Sequence, residues 1–387
     1  MKASNMEVSW VDRAADISEA VWARLFPPPL EGGWWYRALD ESGLDNQFAF
    51  RYLLLNQGGV TVGLVPTFVM DVPMRLVVPP ELLPWVSALG HVFPWLRVQR
   101  TLFVGSPCSE EGWIGLSSDI DTPTALRTID AELRIEMARR RAKIRLWKDF
   151  GSEWDEVLRA LADETGMFRL VSFPGTIVGL PGGSRDSYFQ SLSGNRRHQF
   201  KKKLRRSQQA VRLSVEVLRR PDDATLDNLF ALFWQTYEKA TTRFEQLNRQ
   251  FFGLVAGAPG SSFIVLREPA QQRAVAFMLC FESSGHLVNK FIGIDYSTPS
   301  EWMLYFRLWD AAVDHALRLG ARVVQSGQTG YRPKIDLGHS LVPLTNYGAH
   351  RNRLIHWIYA HVAATVDWHT LDPALAAVLQ SHPELKR

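Results

Sequence analysis

Cysteine is nearly absent: Cys108 and Cys280 are the only two in 387 residues. Neither has a second cysteine or a histidine at metal-ligand spacing. That argues against a zinc site or a disulfide framework, so no metal is expected and two buried thiols are. No window of about 18 residues is uniformly apolar, which excludes a membrane-spanning helix. The opening MKASNMEVSWVDRAADISEA has no apolar run after its lysine and meets acids early, unlike a secretory signal, so a cytoplasmic location is expected. Acid is missing from one stretch in particular, Ser187 to Ser214. The whole chain is otherwise ordinary for a globular protein, 46% apolar and 22% charged, and at 387 residues too long for one core; two domains are expected.

The acid-free stretch carries Arg196, Arg197, Lys201, Lys202, Lys203, Arg205 and Arg206 within eleven positions. Gly194 separates a short turn bearing Tyr188, Phe189 and Leu192 from a longer helix. On that helix Phe200 and Leu204 share one face, and Arg197, Lys201 and Arg205 share a neighbouring stripe. A solvated basic face packed through two apolar residues would read the same way. A local field of this strength also suits an anionic partner.

Along the chain, Val21, Trp22 and Leu25 predict a short helix ended by the prolines from Pro27. Trp34 to Leu39 predict a second, stopped by Gly43. Phe48–Leu55 and Val60–Met70 around Asn56-Gln57-Gly58-Gly59 predict a hairpin. Proline-rich sequence up to Leu96 reads as insertion or loop. Strands are predicted at Arg100–Val104 and Trp113–Leu116, and a helix over Ala125–Arg141 opened by the Thr122 hydroxyl and Pro123. A strand at Lys143–Trp147, a helix at Glu153–Asp163 and a strand at Phe168–Leu180 follow. After the basic helix come a strand at Val211–Leu218 and helices at Asp223–Lys239 and Arg249–Val255. The meander Phe263–Arg267, Ala274–Glu282 and His286–Ile294 precedes a helix over Trp302–Leu319. A capping box at Thr298-Pro299-Ser300-Glu301 opens that helix, and a strand at Arg322–Gln325 follows it. Meander, Thr-Pro helix and strand thus occur twice in the same order, which points to a tandem duplication divided as 1–183 and 184–387. Two unrelated α/β units would share that order only by chance.

A duplicated unit of this order with a basic helix between the copies resembles the FemAB-like transferases of the GNAT superfamily. The residues that carry the likeness are Tyr188-Phe189-x-x-Leu192-x-x-Asn195-Arg196-Arg197 with Phe200-x-x-x-Leu204-Arg205-Arg206. Asn289-Lys290-x-x-x-x-Asp295 ahead of Pro299, Gly327-x-x-Gly330-Tyr331-x-x-Lys334, and Tyr347-Gly348-Ala349-His350 extend it. The resemblance implies an α/β (α+β) fold of two GNAT-like domains, each a mixed, largely antiparallel sheet flanked by helices. It implies an acyltransferase that joins an amine to an activated carbonyl, chemistry that needs orientation, a proton acceptor and oxyanion stabilisation. One feature of the superfamily is missing. The turn that grips coenzyme A pyrophosphate is glycine-rich, whereas Asp295-Tyr296-Ser297-Thr298-Pro299-Ser300-Glu301 has no glycine, a proline and two carboxylates. The loop before Thr122 also lacks those glycines.

Candidate catalytic residues are therefore Lys290 and Lys334 as cations for phosphate or oxyanion, Asp295 to accept a proton or cap a turn, Tyr331, and His350 as a base by type. Gln325 to Tyr331 is polar and glycine-bearing at a strand end, and Ser326 and Gln328 with Tyr331 are candidate substrate contacts. Arg196, Arg197, Lys201 and Arg205 are candidates for phosphate binding. The fourteen tryptophans read as core, since Trp302 and Trp309 fall at helical spacing. Three functions follow from the resemblance. The first transfers an aminoacyl group from aminoacyl-tRNA to an amine of a small molecule or a cell-envelope precursor, with no tightly bound cofactor. The second draws on an acyl-CoA or acyl-carrier-protein thioester. The third is a non-catalytic protein that binds RNA or a precursor.

Overall fold

The computed structural model describes residues 6–74, 88, 97–240, 243 and 245–382. Most of the predicted loop that runs up to Leu96 lies outside them. The first part of the chain forms strands β1 (Glu7–Val11), β2 (Ala49–Gln57), β3 (Val60–Pro73), β4 (Val98–Val104), β5 (Gly115–Leu116), β6 (Ile144–Phe150) and β7 (Phe168–Val171). Its helices are α1 (Glu19–Leu25), α2 (Gly33–Glu41), α3 (Thr122–Arg139) and α4 (Asp155–Thr165). Next come β8 (Gly175–Gly179), α5 (Arg185–Ser191), α6 (Gly194–Ala210), β9 (Ser214–Leu218), α7 (Asp223–Lys239) and α8 (Arg249–Ala256). The series continues with β10 (Ser261–Glu268), β11 (Arg273–Ser283), β12 (His286–Ile294), α9 (Leu304–Arg318), β13 (Val323–Gln325), α10 (Tyr331–Asp336) and β14 (Ser340–Val342). β15 (Thr345–His350) and α11 (Arg353–Thr365) lead into two short terminal helices.

Local signals hold at most of these elements. Gly58 and Gly59 take positive φ, 59° and 80°, and close the β2–β3 hairpin with Gln57 opposite Val60. Two predicted caps differ. The carboxylate of Asp121, one residue before Thr122, accepts the Thr124 N–H at 3.0 Å and caps α3; Thr122 is already helical. The capping box at residues 298–301 does not form. Ser300–Trp302 is a 3-10 turn, Met303 takes φ 47°, and α9 begins behind it without a side-chain cap. The Thr298 hydroxyl donates instead to the Asp295 carbonyl at 2.7 Å, and Glu301 pairs with Arg206 at 3.4 Å.

Two sheets of matching construction result. In the first the order is β1-β2-β3-β4-β6-β15-β7, with β5 beside β3; in the second it is β9-β10-β11-β12-β13-β8-β14. Each is an antiparallel meander whose last strand pairs in parallel with the strand returning from the following helix, β4 with β6 and β12 with β13. Each then continues through an antiparallel strand taken from elsewhere in the chain. The predicted strand Phe168–Leu180 is in fact two, parted at Pro174: β7 ends the first sheet and β8 enters the second, between β13 and β14. The equivalent place in the first sheet, between β6 and β7, is filled by β15.

The compact units therefore divide differently from 1–183 and 184–387. One comprises Met1–Pro27, Glu31–Pro174 and Pro343–Ser381; the other is Gly175–Val342 with Pro28–Leu30 and the residues from His382. Strand pairing, a non-local choice, sets this division, and sequence order does not reveal it. The first unit's core packs Leu126, Ile129 and Leu133 of α3 with Leu158 and Leu161 of α4 against Leu53, Val65 and Trp147. The second packs Leu304, Leu308, Ala312 and Ala316, four apart on α9, with Phe200 and Leu204 of α6 against Ile264, Met278 and Leu287.

Candidate active site

In the second unit β12 and β13 run parallel but pair only over three residues, His286–Val288 against Val323–Gln325. β12 continues on β11 to Ile294 while β13 ends, so the sheet opens at the carboxyl ends of two central strands. Open α/β sheets place ligands at such a position. Lys290 stands at this opening in a β-bulge, since Cys280 pairs with Asn289 and the preceding Leu279 with Phe291. Lys290 is half-buried. Two loops flank the opening, 295–303 leading to α9 and 326–330 leading to α10.

The 326–330 loop turns on positive φ at Gly327, Thr329 and Gly330, and one side chain holds it. The Lys334 ammonium, 8% exposed, donates to the carbonyls of Ser326, of Gly327 at 3.1 Å and of Gln328 at 3.2 Å. Thr176 of β8 fixes the same loop, its hydroxyl donating to the Gly327 carbonyl at 2.9 Å. His339, which the sequence reading did not single out, completes the scaffold. Its Nδ1–H donates to the Lys334 carbonyl at 2.9 Å, so Nε2 accepts from the Ser326 hydroxyl at 3.2 Å. Burial, with the Lys334 charge beside it, pushes His339 down to about 3 and keeps the ring neutral. A lone histidine five residues past a lysine carries no recognisable spacing, and only the folded loop exposes the connection. Tyr331 is 1% exposed beneath the loop. Among the described residues the Gln328 side-chain nitrogen is buried with no hydrogen-bond partner.

Asp295 is 3% exposed and fully engaged. It accepts the Ser297 N–H at 2.9 Å and hydroxyl at 2.5 Å, and it pairs with Arg273. Burial alone would raise its carboxyl, but Ser297 and Arg273 together hold it below the usual range, so the group serves as a turn-forming anion and a weak base. His350 is placed elsewhere, on β15 of the first unit, where Nδ1 accepts the Asn352 N–H at 3.0 Å. Burial lowers its pKa. Of the residues marked in the sequence, then, Ser326, Gln328, Tyr331 and Lys334 share one loop and helix turn. Lys290 stands on β12 beside it, Asp295 opens the loop just past that strand, and His350 belongs to the other unit.

Helix α6 packs on the 295–303 loop. Phe200, Leu204 and Ser207 are buried, and the Ser207 hydroxyl donates to the Trp302 carbonyl at 2.6 Å. Part of its charge is used locally: Lys203 meets Asp336 at 3.4 Å and the Phe306 ring at 3.8 Å, Arg206 meets Glu301, and Arg196 contacts His382 at 3.3 Å. Among the described residues Lys201 meets the Phe189 ring, 5.2 Å away. Arg197, Lys202 and Arg205 have no acidic partner among the described residues.

Residues 194–334 match the acetyltransferase (GNAT) domain family. Across both units the fold is similar to that of FemX, with a TM-score of 0.57 at 10% identity, covering 89% of this chain and 98% of that one. Residues 194–334 thus carry a GNAT acetyltransferase domain, and the chain as a whole has a tandem fold like that of FemX. L-PGS from Bacillus licheniformis shares this architecture with a TM-score of 0.52 at 12% identity, over 88% of this chain and 98% of the other. A protein of unknown function from Bacteroides thetaiotaomicron does so with a TM-score of 0.50 at 12% identity, over 88% and 99%. No curated protein matches in sequence. The GNAT match begins at α6 and ends at Lys334, so it spans the basic helix, the opened sheet and the loop that Lys334 holds.

Proposed function

We propose that this FemAB-like protein is an amide-forming transferase that moves an aminoacyl group from aminoacyl-tRNA to an amine, on a cytoplasmic small molecule or envelope precursor. The observation that carries this is the cationic face of α6. Arg197, Lys201, Lys202 and Arg205 have no acidic partners among the described residues, on the helix packed against the loop where a GNAT fold holds its donor's phosphates. That loop disfavours free coenzyme A, because it has no glycine, loses an N–H at Pro299 and carries Asp295 and Glu301. A polynucleotide instead spreads its phosphates over an outer surface, which separated exposed cations suit.

In this reading a neutral amine attacks the ester carbonyl in the opening between β12 and β13. The C–N bond forms, the ester C–O bond breaks, and the proton leaving nitrogen ends on the departing ribose hydroxyl. The Gln328 amide donates to the developing oxyanion and Lys290 supplies positive charge there, while Lys334, braced by His339, holds the Gln328 loop in position. A thioester donor, on coenzyme A or a carrier protein, is the second reading, favoured by the acetyltransferase family match. Binding of charged and uncharged tRNA across a salt series, beside release of free thiol from acyl-coenzyme A, separates the two. Salt-steep binding that improves on charging supports the first; thiol release without tRNA binding replaces it with the second.

A further inference from the structure

Helix α11 in the first unit is apolar nearly all round, yet among the described residues only one side of it is covered. Its inner side packs on β7 and β15: Tyr359 meets the Phe168 ring at 6.3 Å and the His350 ring at 5.7 Å, and His356 meets Phe168 at 5.6 Å. Its outer side presents Leu354, Trp357 and Ile358, which are 68%, 58% and 44% exposed, with the His361 ring tilted against Trp357 at 4.0 Å. Positions 354, 357, 358 and 361 are spaced i, i+3, i+4 and i+7, so they form one continuous stripe. A helix of this composition is ordinarily buried on every side, and a stripe of one tryptophan and two large aliphatics facing water marks a docking surface.

The charge around the stripe selects the occupant. From His350 to Val366 there is no aspartate or glutamate, and Arg351 and Arg353 are exposed at the helix start. The helix N-terminus, capped only by Asn352, adds positive charge at the same end. We propose that α11 docks the protein on an anionic lipid surface, with Leu354, Trp357 and Ile358 at the depth of the headgroups and Arg351 and Arg353 against lipid phosphates. Tryptophan and flanking arginine suit that boundary, where an apolar ring and an aliphatic stem are buried while polar ends stay wet.

The test uses the full chain in flotation with vesicles of phosphatidylcholine alone and with added phosphatidylglycerol. Binding to the phosphatidylglycerol vesicles is expected, weakening with salt, and falling about tenfold or more in Leu354→Ser/Trp357→Ser and in Arg351→Glu/Arg353→Glu. These side chains face outward, so an unchanged far-UV circular dichroism spectrum is expected for both variants. Sedimentation velocity on the same samples keeps the result decisive. Absence of lipid binding overturns the proposal, as does binding that both variants retain. Self-association abolished by Trp357→Ser without vesicle binding overturns it in favour of a contact between copies.

Discussion

At the scale of single residues the candidate site is organised by a lysine and a histidine that do different work from the one their types suggest. Lys334 has the charge expected of a phosphate or oxyanion clamp, but its ammonium is spent on three backbone carbonyls. Lys334→Met leaves those buried acceptors without their donor and is expected to cost about 1.5–3 kcal/mol of stability in urea unfolding. Gln328→Ala removes a donor that has no partner among the described residues, so stability should hold while transfer falls about 10²-fold. Equal losses of stability and transfer in the Gln328 variant would remove it from the proposed chemistry. His339 predicts a pH dependence. Its folded pKa, about 3, lies below the ordinary value of 6.5, so the unfolded chain binds the proton more readily. Its contribution is complete above about pH 6.5 and declines, by up to about 1.4 kcal/mol per pH unit, as pH falls toward 3. Denaturation midpoints of the wild type and His339→Asn measured from pH 7 to pH 4 should converge; a constant gap refutes the assignment.

At the scale of elements, α6 shows how one helix is divided between structure and surface. Phe200, Leu204 and Ser207 anchor it, Lys203 and Arg206 find acids, Arg196 meets His382, and Arg197, Lys201, Lys202 and Arg205 have no acidic partner among the described residues. Arg197→Glu/Lys201→Glu/Arg205→Glu should leave the thermal midpoint nearly unchanged, because the side chains are not packed in the core. It should lower the slope of log affinity for tRNA against log salt by roughly two to three. An unchanged slope makes the stripe a solvated face. β12 makes the opposite point, because its geometry depends on a missing side chain. A Cβ on Gly293 would lie 2.3 Å from the Phe277 ring and 2.6 Å from the Phe233 nitrogen of α7. Gly293→Ala therefore forces α7 off the sheet and is expected to destabilise by about 1–3 kcal/mol in chemical denaturation.

At the scale of the whole molecule the duplication is closed by strands taken from outside each half's own sequence order. The second sheet receives β8 from immediately before α5, and the first receives β15 from near the C-terminus. A fragment covering Gly175–Val342 holds every strand of the second sheet and should unfold cooperatively on its own. A chain ending at Val342 lacks β15 between β6 and β7 and should lose the cooperative transition of the first unit. Calorimetry of both fragments tests this, and an intact first-unit transition in the truncated chain would contradict it.

These three scales separate what was legible in the sequence from what was not. Hairpins, meanders and helices were legible because each is written in a local signal, such as the Asn-Gln-Gly-Gly turn and the Phe200 and Leu204 anchors. Repetition of those signals in one order carried the duplicated fold. Lys334, Ser326 and Gln328 were legible as a group because they lie close along the chain, but their roles were not, since a role depends on which carbonyl or hydroxyl the folded loop brings within 3 Å. His350 shows the limit most plainly. Its position beside the second half in sequence implied a place in that half's site, and β15 carries it into the other sheet. The sequence by itself determined which segments became strands and helices, because backbone propensity and side-chain periodicity act over a few residues. Only the tertiary structure decided which sheet β8 and β15 would join, because strand pairing is settled by backbone hydrogen bonds between segments far apart in the chain.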